Sequence, residues 1–258
     1  MTLTNSALSF RQPIMREMLK LRAFFLGGKM EKKIAILVDG SFYQKRIHVL
    51  KNFKTPKESV DFFIQYCKRH VRAEGYDSFS LYRIFYYDCP PSDKEVYHPL
   101  LKTAVKLKNT EQYKWMTEFI KELTTRRKVA LRLGRLSDNA VAYNLKSDVT
   151  KKLLNKKLSI ADITERDFYL SITQKGVDMK LGVDVSSLAY KKQVDKIVLI
   201  AGDSDFVPAA KLARREGIDF ILDPLWNPIN ADLHEHIDGL KSCINKNGEK
   251  GPQIAIIS

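Results

Sequence analysis

The chain has 258 residues, which is enough for one large domain or two small ones. Its hydrophobic fraction of 44% is ordinary for a folded core, and no apolar run approaches the roughly 18 residues of a membrane span, which argues against a membrane partner. The three cysteines are odd in number and lack C-x-x-C spacing. They argue against a disulfide framework or a zinc site and favour a cytoplasmic protein.

The net charge of +14 is unevenly distributed along the chain. Residues 102–157 carry a net charge of +10, whereas residues 158–258 carry −3. A basic region beside an acidic one is typical of a protein that holds a polyanion by its phosphates near bound cations. A lysine-rich surface that is merely solvated is the alternative interpretation.

Residues 1–29 are predicted to be a basic N-terminal extension, for which a short helix and disorder both stay open. The apolar run Ile34 to Val38, ended by Asp39-Gly40, predicts a buried parallel strand. The later elements follow in chain order: a helix over 56–74, a strand over 80–87, helices around 94–108 and 110–126, a strand over 129–134, helical turns over 146–157, a short strand over 168–172, a helix over 177–190, a strand over 196–201, a helix over 206–216 and a strand over 219–222.

Alternating strands and helices predict an α/β fold, a parallel sheet with helices on both faces. Residues 92–157 depart from the alternation and are interpreted as a basic helical insertion within a domain over 30–245. Residues 246–258 are predicted to be a C-terminal tail.

Acidic residues follow two of the predicted strands at the point where each strand ends. Asp39 follows the first strand, and Asp203 and Asp205 follow the strand over 196–201. Asp178 opens the helix over 177–190. Because sites in open parallel sheets form at the carboxyl ends of strands, these four side chains are expected at one edge.

Four carboxylates in one place repel each other unless cations neutralise them. Carboxylate oxygens are preferred ligands of Mg²⁺ and Mn²⁺. Metal ions held in this way can bind a phosphate and activate a water molecule, which is a phosphodiesterase mechanism. Each acid also has a structural alternative as a helix cap. Asp184, six residues after Asp178, is expected on a different face of the helix.

Three segments together resemble the signatures of the NYN domain, in the LabA-like branch of the PIN-like nuclease superfamily. They are Val38-Asp39-Gly40-Ser41, Lys175-Gly176-Val177-Asp178 and Gly202-Asp203-Ser204-Asp205-Phe206. The resemblance covers about residues 32–240 and implies a PIN-like, Rossmann-like fold, a Mg²⁺ or Mn²⁺ site at Asp39, Asp178, Asp203 and Asp205, and RNA as the usual substrate. Many members have Asn where this chain has Phe42, so an altered activity is also open.

Several polar and basic residues are candidates for contacts with substrate. Ser41, Ser204 and Lys175 flank the acids, and Arg214 lies on the helix that follows Asp205. The run Arg126-Arg127-Lys128 is a candidate for contacts with the phosphate backbone.

Two functions stay open on the sequence, and two others are disfavoured. The first is a metal-dependent ribonuclease, with DNA as an alternative substrate; the second is a catalytically weak RNA-binding module of the same fold, which Phe42 would support. A haloacid-dehalogenase-type phosphatase needs a second Asp where Ser41 stands. A dinucleotide-binding domain needs a G-x-G-x-x-G motif after the first strand, and this motif is absent.

Overall fold

The apolar run that starts at Ile34 forms a central strand of a six-stranded parallel sheet in the computed structural model. The structure describes residues 31–72 and 79–245, apart from the side chains of residues 138–140. The predicted N-terminal extension and C-terminal tail lie outside the described residues. The central sheet has the strand order β10-β9-β8-β1-β2-β5. The strands are β1 (Lys32–Asp39), β2 (Phe79–Asp88), β3 (Glu95–His98), β4 (Thr103–Lys106), β5 (Val129–Leu133), β6 (Arg135–Leu145), β7 (Phe168–Lys175), β8 (Lys196–Ile200), β9 (Asp219–Asp223) and β10 (Gly239–Leu240).

Helices cover both faces of this sheet, as the alternation of elements predicts. They are α1 (Gly40–Leu50), α2 (Pro56–Val71), α3 (Glu111–Thr124), α4 (Ser147–Leu154), α5 (Val177–Tyr190), α6 (Val207–Arg215) and α7 (Ala231–Glu235). Short 3-10 turns occupy Leu107–Asn109, Ile160–Asp162, Glu165–Asp167 and Ser204–Phe206. The expected α/β architecture with a parallel sheet is therefore confirmed.

Strand β1 shows why the sheet needs cover on two sides. Alternate residues of a strand point to opposite faces. Ile34, Ile36 and Val38 pack with α1, α2 and α3, whereas Ala35 and Leu37 pack with α5 and α6. All five side chains are fully buried. A continuous apolar run, without polar alternation, is what a strand buried on both faces requires.

The segment 92–157 contains strands as well as helices, and part of it belongs to the central sheet. Strand β5 pairs in parallel with β2 and forms one edge of that sheet. Strand β6 forms a separate antiparallel pair with β7. The segment is basic, but its ends do not delimit a separate helical module.

The helix predicted around 94–108 is instead the antiparallel pair β3–β4, followed by a 3-10 turn. Val96 and His98 are buried and their neighbours are not, a period of two that suits a strand. Pro99 and the left-handed Lys102 (φ 52°) turn the chain between the strands. The His98 ring lies 4.4 Å from that of Tyr143, so tertiary packing against β6 favours the strand conformation.

Candidate active site

The strand order places a topological switch point between β1 and β8. From β1 the chain proceeds to β2 on one side, and it later returns to β8 and then β9 on the other. Ligand sites in open α/β sheets form where the order reverses, beyond the carboxyl ends of the strands. We call this side of the sheet the carboxyl edge and the opposite side the amino edge. Asp39 and Asp203 follow the two strands that flank the switch point.

Asp39 ends β1 and caps α1. Its Oδ1 accepts hydrogen bonds from the Phe42 N–H at 3.1 Å and from the Ser41 Oγ–H at 3.0 Å. Burial raises the pKa of Asp39, although these bonds and the charge of Lys45 act to lower it. The structural role of Asp39 as a helix cap is therefore real.

Asp203 and Asp205 lie in the turn between β8 and α6, and both are exposed. Asp203 caps the 3-10 turn by accepting the Asp205 N–H at 3.1 Å, and Ser204 is half-buried between them. Gly202 leaves room for the Phe42 ring, which would collide with any Cβ at that position. Phe42 thus packs the first motif against the third.

Asp178 enters the same edge from a different element. Gly176 has φ 79°, a left-handed conformation that favours glycine, and it begins α5 directly after β7. Asp178 is then the second residue of the helix. Partial burial raises its pKa, and the negative charges of Asp39, Asp203 and Asp205 raise it further. These charges act on Asp178 because the structure brings all four predicted aspartates to the carboxyl edge.

A fifth carboxylate, Asp88, was not among the predicted site residues. It ends β2, which pairs with β1, and it is buried. Burial raises its pKa, hydrogen bonds from Cys89 N–H, Tyr86 OH and Gln174 Nε2 lower it, and the charge of Asp39 raises it. The predicted strand over 80–87 stops directly before this residue, so the same strand-end argument could have identified it.

The donor set fits a hard divalent cation, because it consists of carboxylate oxygens. No three of these five carboxylates have oxygens within 4.8 Å of one another. Such spacing suits Mg²⁺, which usually keeps several water ligands and takes only one or two carboxylates directly. Within the described residues, the group that does meet the 4.8 Å spacing is Asp232, Glu235 and His236, which belongs to α7 and its C-terminal cap.

The structure divides the predicted substrate contacts between the two edges of the sheet. Ser41, Ser204 and Lys175 lie at the carboxyl edge with the aspartates, and Lys175 is exposed. Arg214 is in the last turn of α6, which runs roughly 13 Å back from the site. Its guanidinium binds Asp238 at 2.8 Å and the Glu235 carbonyl at 3.1 Å. Arg214 therefore stabilises the packing of α6 against the segment before β10.

The basic run at 126–128 precedes β5 and so lies at the amino edge. Arg126 pairs with Asp61 at 2.8 Å, and Lys128 donates to the Leu81 carbonyl. Strand β5 separates the run from the carboxyl edge by roughly 17 Å. These residues do not reach a phosphate at the aspartates. The sequence analysis did not predict the amino-edge position of residues 126–128. It treated 92–157 as an insertion, and so it did not place β5 in the central sheet.

Asp184 lies away from the site, as the helical spacing predicts. Its Oδ2 accepts hydrogen bonds from Tyr87 OH at 2.9 Å and Arg132 Nε at 2.7 Å. Tyr87 itself is fully buried. The pair joins α5 to β2 and β5, which is a structural role.

The fold and the aspartates at its switch point define an α/β domain with an acidic, metal-compatible site. The family model described as NYN domain matches residues 33–225, and the chain belongs to that family. NYN domains are part of the PIN-like nuclease superfamily, whose members are generally hydrolases of nucleic acids and usually use divalent metal ions.

Other comparisons add little to this assignment. None of the curated proteins matches the chain. A crystal structure of a Vibrio parahaemolyticus protein of unknown function is similar at 14% identity and a TM-score of 0.41, covering 83% of this chain and 94% of that one. Among the described residues, no helix is long and apolar enough to cross a membrane.

Proposed function

We propose that the protein is a metal-dependent ribonuclease of the LabA-like branch of the NYN family. The observation that carries the proposal is the convergence of Asp39, Asp178, Asp203 and Asp205, from three separate segments, at one switch point. No single structural requirement explains four acids there, because Asp178 and Asp205 cap no helix with their side chains. RNA is the substrate that the family resemblance favours. The three free, buried cysteines support a reducing, cytoplasmic location.

In this mechanism the four aspartates hold Mg²⁺ or Mn²⁺, directly or through water. The metal, when bound, supplies a Lewis acid for the phosphoryl oxygen and lowers the pKa of an attacking water. Ser41 orients the Asp39 carboxylate through its hydrogen bond. Asp205, exposed beside Asp203, is placed to bind metal or to orient the water.

Substrate contacts in the proposal are restricted to the carboxyl edge. Lys175 and the hydroxyls of Ser41 and Ser204 are the candidates for binding the scissile phosphate. Arg126, Arg127, Lys128 and Arg214 are left out of this role because they lie at or near the amino edge. Phe42 replaces an amide by an aromatic ring, and its packing against Gly202 maintains the relation between two of the acidic motifs.

The test is cleavage of labelled single-stranded RNA and DNA by the full chain with Mn²⁺, Mg²⁺ or EDTA. We expect metal-dependent cleavage of RNA that falls at least a hundredfold in Asp39→Asn and in Asp203→Asn. Asp184→Asn is the matched control, because it neutralises an aspartate of the same domain that lies outside the site.

Equal cleavage by Asp184→Asn and wild type, with loss in the two site variants, would support the assignment. Wild-type protein that binds RNA but does not cut it with either metal would instead favour the RNA-binding module. In that case Phe42→Asn tests whether the amide found in many relatives restores cleavage.

A further inference from the structure

Two adjacent cavities lie on the α1 and α3 side of the sheet, and one of them reaches the carboxylate of Asp88. The first has a volume of about 440 Å³ and includes Ser41 and Asp88 in its wall. It therefore adjoins the carboxylate site, because Ser41 donates a hydrogen bond to Asp39. The second has a volume of about 630 Å³ and lies between α1 and α3. Both volumes are in the range of roughly 300–1,000 Å³ that is typical of ligand sites.

The two cavities adjoin each other, because they share part of their walls, and we call the pair the track. Gln44 and Lys45 of α1 and Gln112 and Met116 of α3 line both. These four residues form a neck that separates an inner chamber, at Ser41 and Asp88, from an outer chamber further along α1. A ligand that occupies both chambers must pass between α1 and α3.

Each chamber has an aromatic side chain in its wall. Tyr113 lines the inner chamber and Trp115 lines the outer one, and both are half-buried. Trp115 stacks on the Phe119 ring with a centroid distance of 5.3 Å and an interplanar angle of 10°, which fixes its orientation. Aromatic side chains at successive positions along a groove are typical of proteins that stack on unpaired bases.

The charge of the track suits a phosphate backbone. Lys45 stands at the neck, and His48 and Lys54 line the outer chamber. Within the described part of the chain, the side chains of Lys45 and Lys54 form no ion pair, and the acid of the outer chamber, Glu111, is paired with Lys114 at 2.8 Å. Cations therefore increase along the track away from the aspartates.

We propose that the two chambers bind consecutive unpaired nucleotides on one side of the scissile phosphate. Tyr113 and Trp115 stack on the bases, and Lys45 and Lys54 contact the phosphates. The position of these nucleotides beside a scissile phosphate rests on the proposed nuclease function, whereas their binding in the track does not. In a duplex the bases are paired and turned inward, so they cannot enter the chambers. The track therefore selects single strands or unpaired loops.

The experiment measures binding without cleavage, by fluorescence anisotropy of labelled oligouridine, the matching DNA and a blunt RNA duplex in EDTA. The protein is the full chain with Asp203→Asn as background. We expect Tyr113→Ala to weaken oligouridine binding on the order of tenfold, and Tyr113→Phe to retain it. Duplex affinity is expected to be lower and insensitive to Tyr113→Ala.

Lysine contacts are tested by salt dependence. Replacing Lys45 and Lys54 by Ala should reduce the slope of log K against log salt by about 0.7 for each lysine. The matched control replaces two exposed cations elsewhere, Arg127 and Lys211, by Ala. If this control reduces the slope as much as the track variant, the charge effect is not local and the proposal fails.

A second readout follows the tryptophan directly and is independent of affinity. Trp115 and Trp226 are the two tryptophans of the chain. In a Trp226→Phe variant, oligouridine should quench the fluorescence of Trp115. Absence of quenching at saturation, or equal affinities of Tyr113→Ala and its background, would overturn the track. Binding lost in the track variants of a protein that cuts no RNA would leave the track standing and refute only the nuclease proposal.

Discussion

Asp88 occupies the position beside Asp39 on the neighbouring strand and is held there by three hydrogen bonds. Its Oδ2 also lies against Gly40, directly after Asp39. Partners that orient a metal-binding side chain contribute strongly to metal affinity, although they do not always touch the metal. At the residue scale, Asp88 is therefore expected to act with the four predicted aspartates.

Replacing Asp88 by Asn keeps its size and removes its charge. We expect cleavage activity to fall about 10- to 100-fold, with a higher metal concentration needed for half-maximal rate. Steady-state kinetics over a Mn²⁺ titration checks both effects, with Asp184→Asn as the comparison. Unchanged metal dependence in Asp88→Asn would mean that Asp88 only supports the fold.

His70 is a buried residue whose protonation couples folding to pH. Burial alone would lower its pKa, but hydrogen bonds to Asp223 (2.9 Å) and to Cys243, with the charge of Asp223, raise it from 6.5 to about 9. A raised folded-state pKa contributes stability that is complete below pH 6.5 and is lost as pH rises through 9. The contribution is at most roughly 3 kcal/mol.

We therefore expect the free energy of unfolding to decrease between pH 6.5 and 9 in wild type. In His70→Gln this decrease should be absent or much smaller, because the titrating ring is gone. Urea unfolding at several pH values measures the free energy of unfolding of both proteins. Identical pH profiles of the two proteins would show that another group is responsible.

At the scale of elements, helix ends follow local sequence rules. Thr55 caps α2 with Pro56 at its first position, and Thr110 caps α3. These boundaries agree with the sequence prediction to within a few residues. The sequence prediction was wrong for β3 and β4, whose conformation depends on packing against another element.

Replacing either of two helical glycines by alanine is expected to change the stability, in opposite directions at the two positions. A Cβ on Gly40 would come within 2.6 Å of the buried Tyr86 ring and 2.7 Å of Asp88 Oδ2, whereas a Cβ on Gly182 of α5 meets nothing within 4 Å. We expect Gly40→Ala to destabilise by about 1–3 kcal/mol. Gly182→Ala should stabilise by about 1 kcal/mol, because alanine favours the helix. Urea denaturation of both variants provides the measurement, and a shift in the same direction would contradict the packing argument.

At the scale of the whole molecule, four separated segments supply the five acids that surround the switch point. Bringing them together costs electrostatic repulsion in the absence of a cation, so a bound metal should stabilise the fold. A ligand at 100 times its dissociation constant stabilises by about 2.7 kcal/mol. For a protein of this size that corresponds to an increase in Tm of about 5–10 °C.

The expected result is an increase in Tm with Mn²⁺ that disappears in the double variant Asp39→Asn, Asp203→Asn. The matched double variant Asp232→Asn, Glu235→Gln neutralises the exposed acidic group of α7 and should keep the increase. Loss of the increase in the second variant alone would place the metal at α7 and contradict the proposed site.

The sequence by itself predicted the parallel α/β sheet, which the structure confirms, and it singled out four aspartates as candidate site residues. Buried strands need unbroken apolar runs, and the acids follow those runs directly, as at Val38-Asp39 and Ala201 to Asp203. Local patterns of this kind are visible without knowing what an element packs against.

Strand order and packing partners were decided only by the tertiary structure. Asp88 joins the site because β2 lies next to β1, and the basic run 126–128 leaves it because β5 extends the same sheet. The strands β3 and β4 are favoured by contacts such as that of His98 with Tyr143, across 45 residues of chain. Such pairings depend on contacts between distant residues, which local periodicity does not encode.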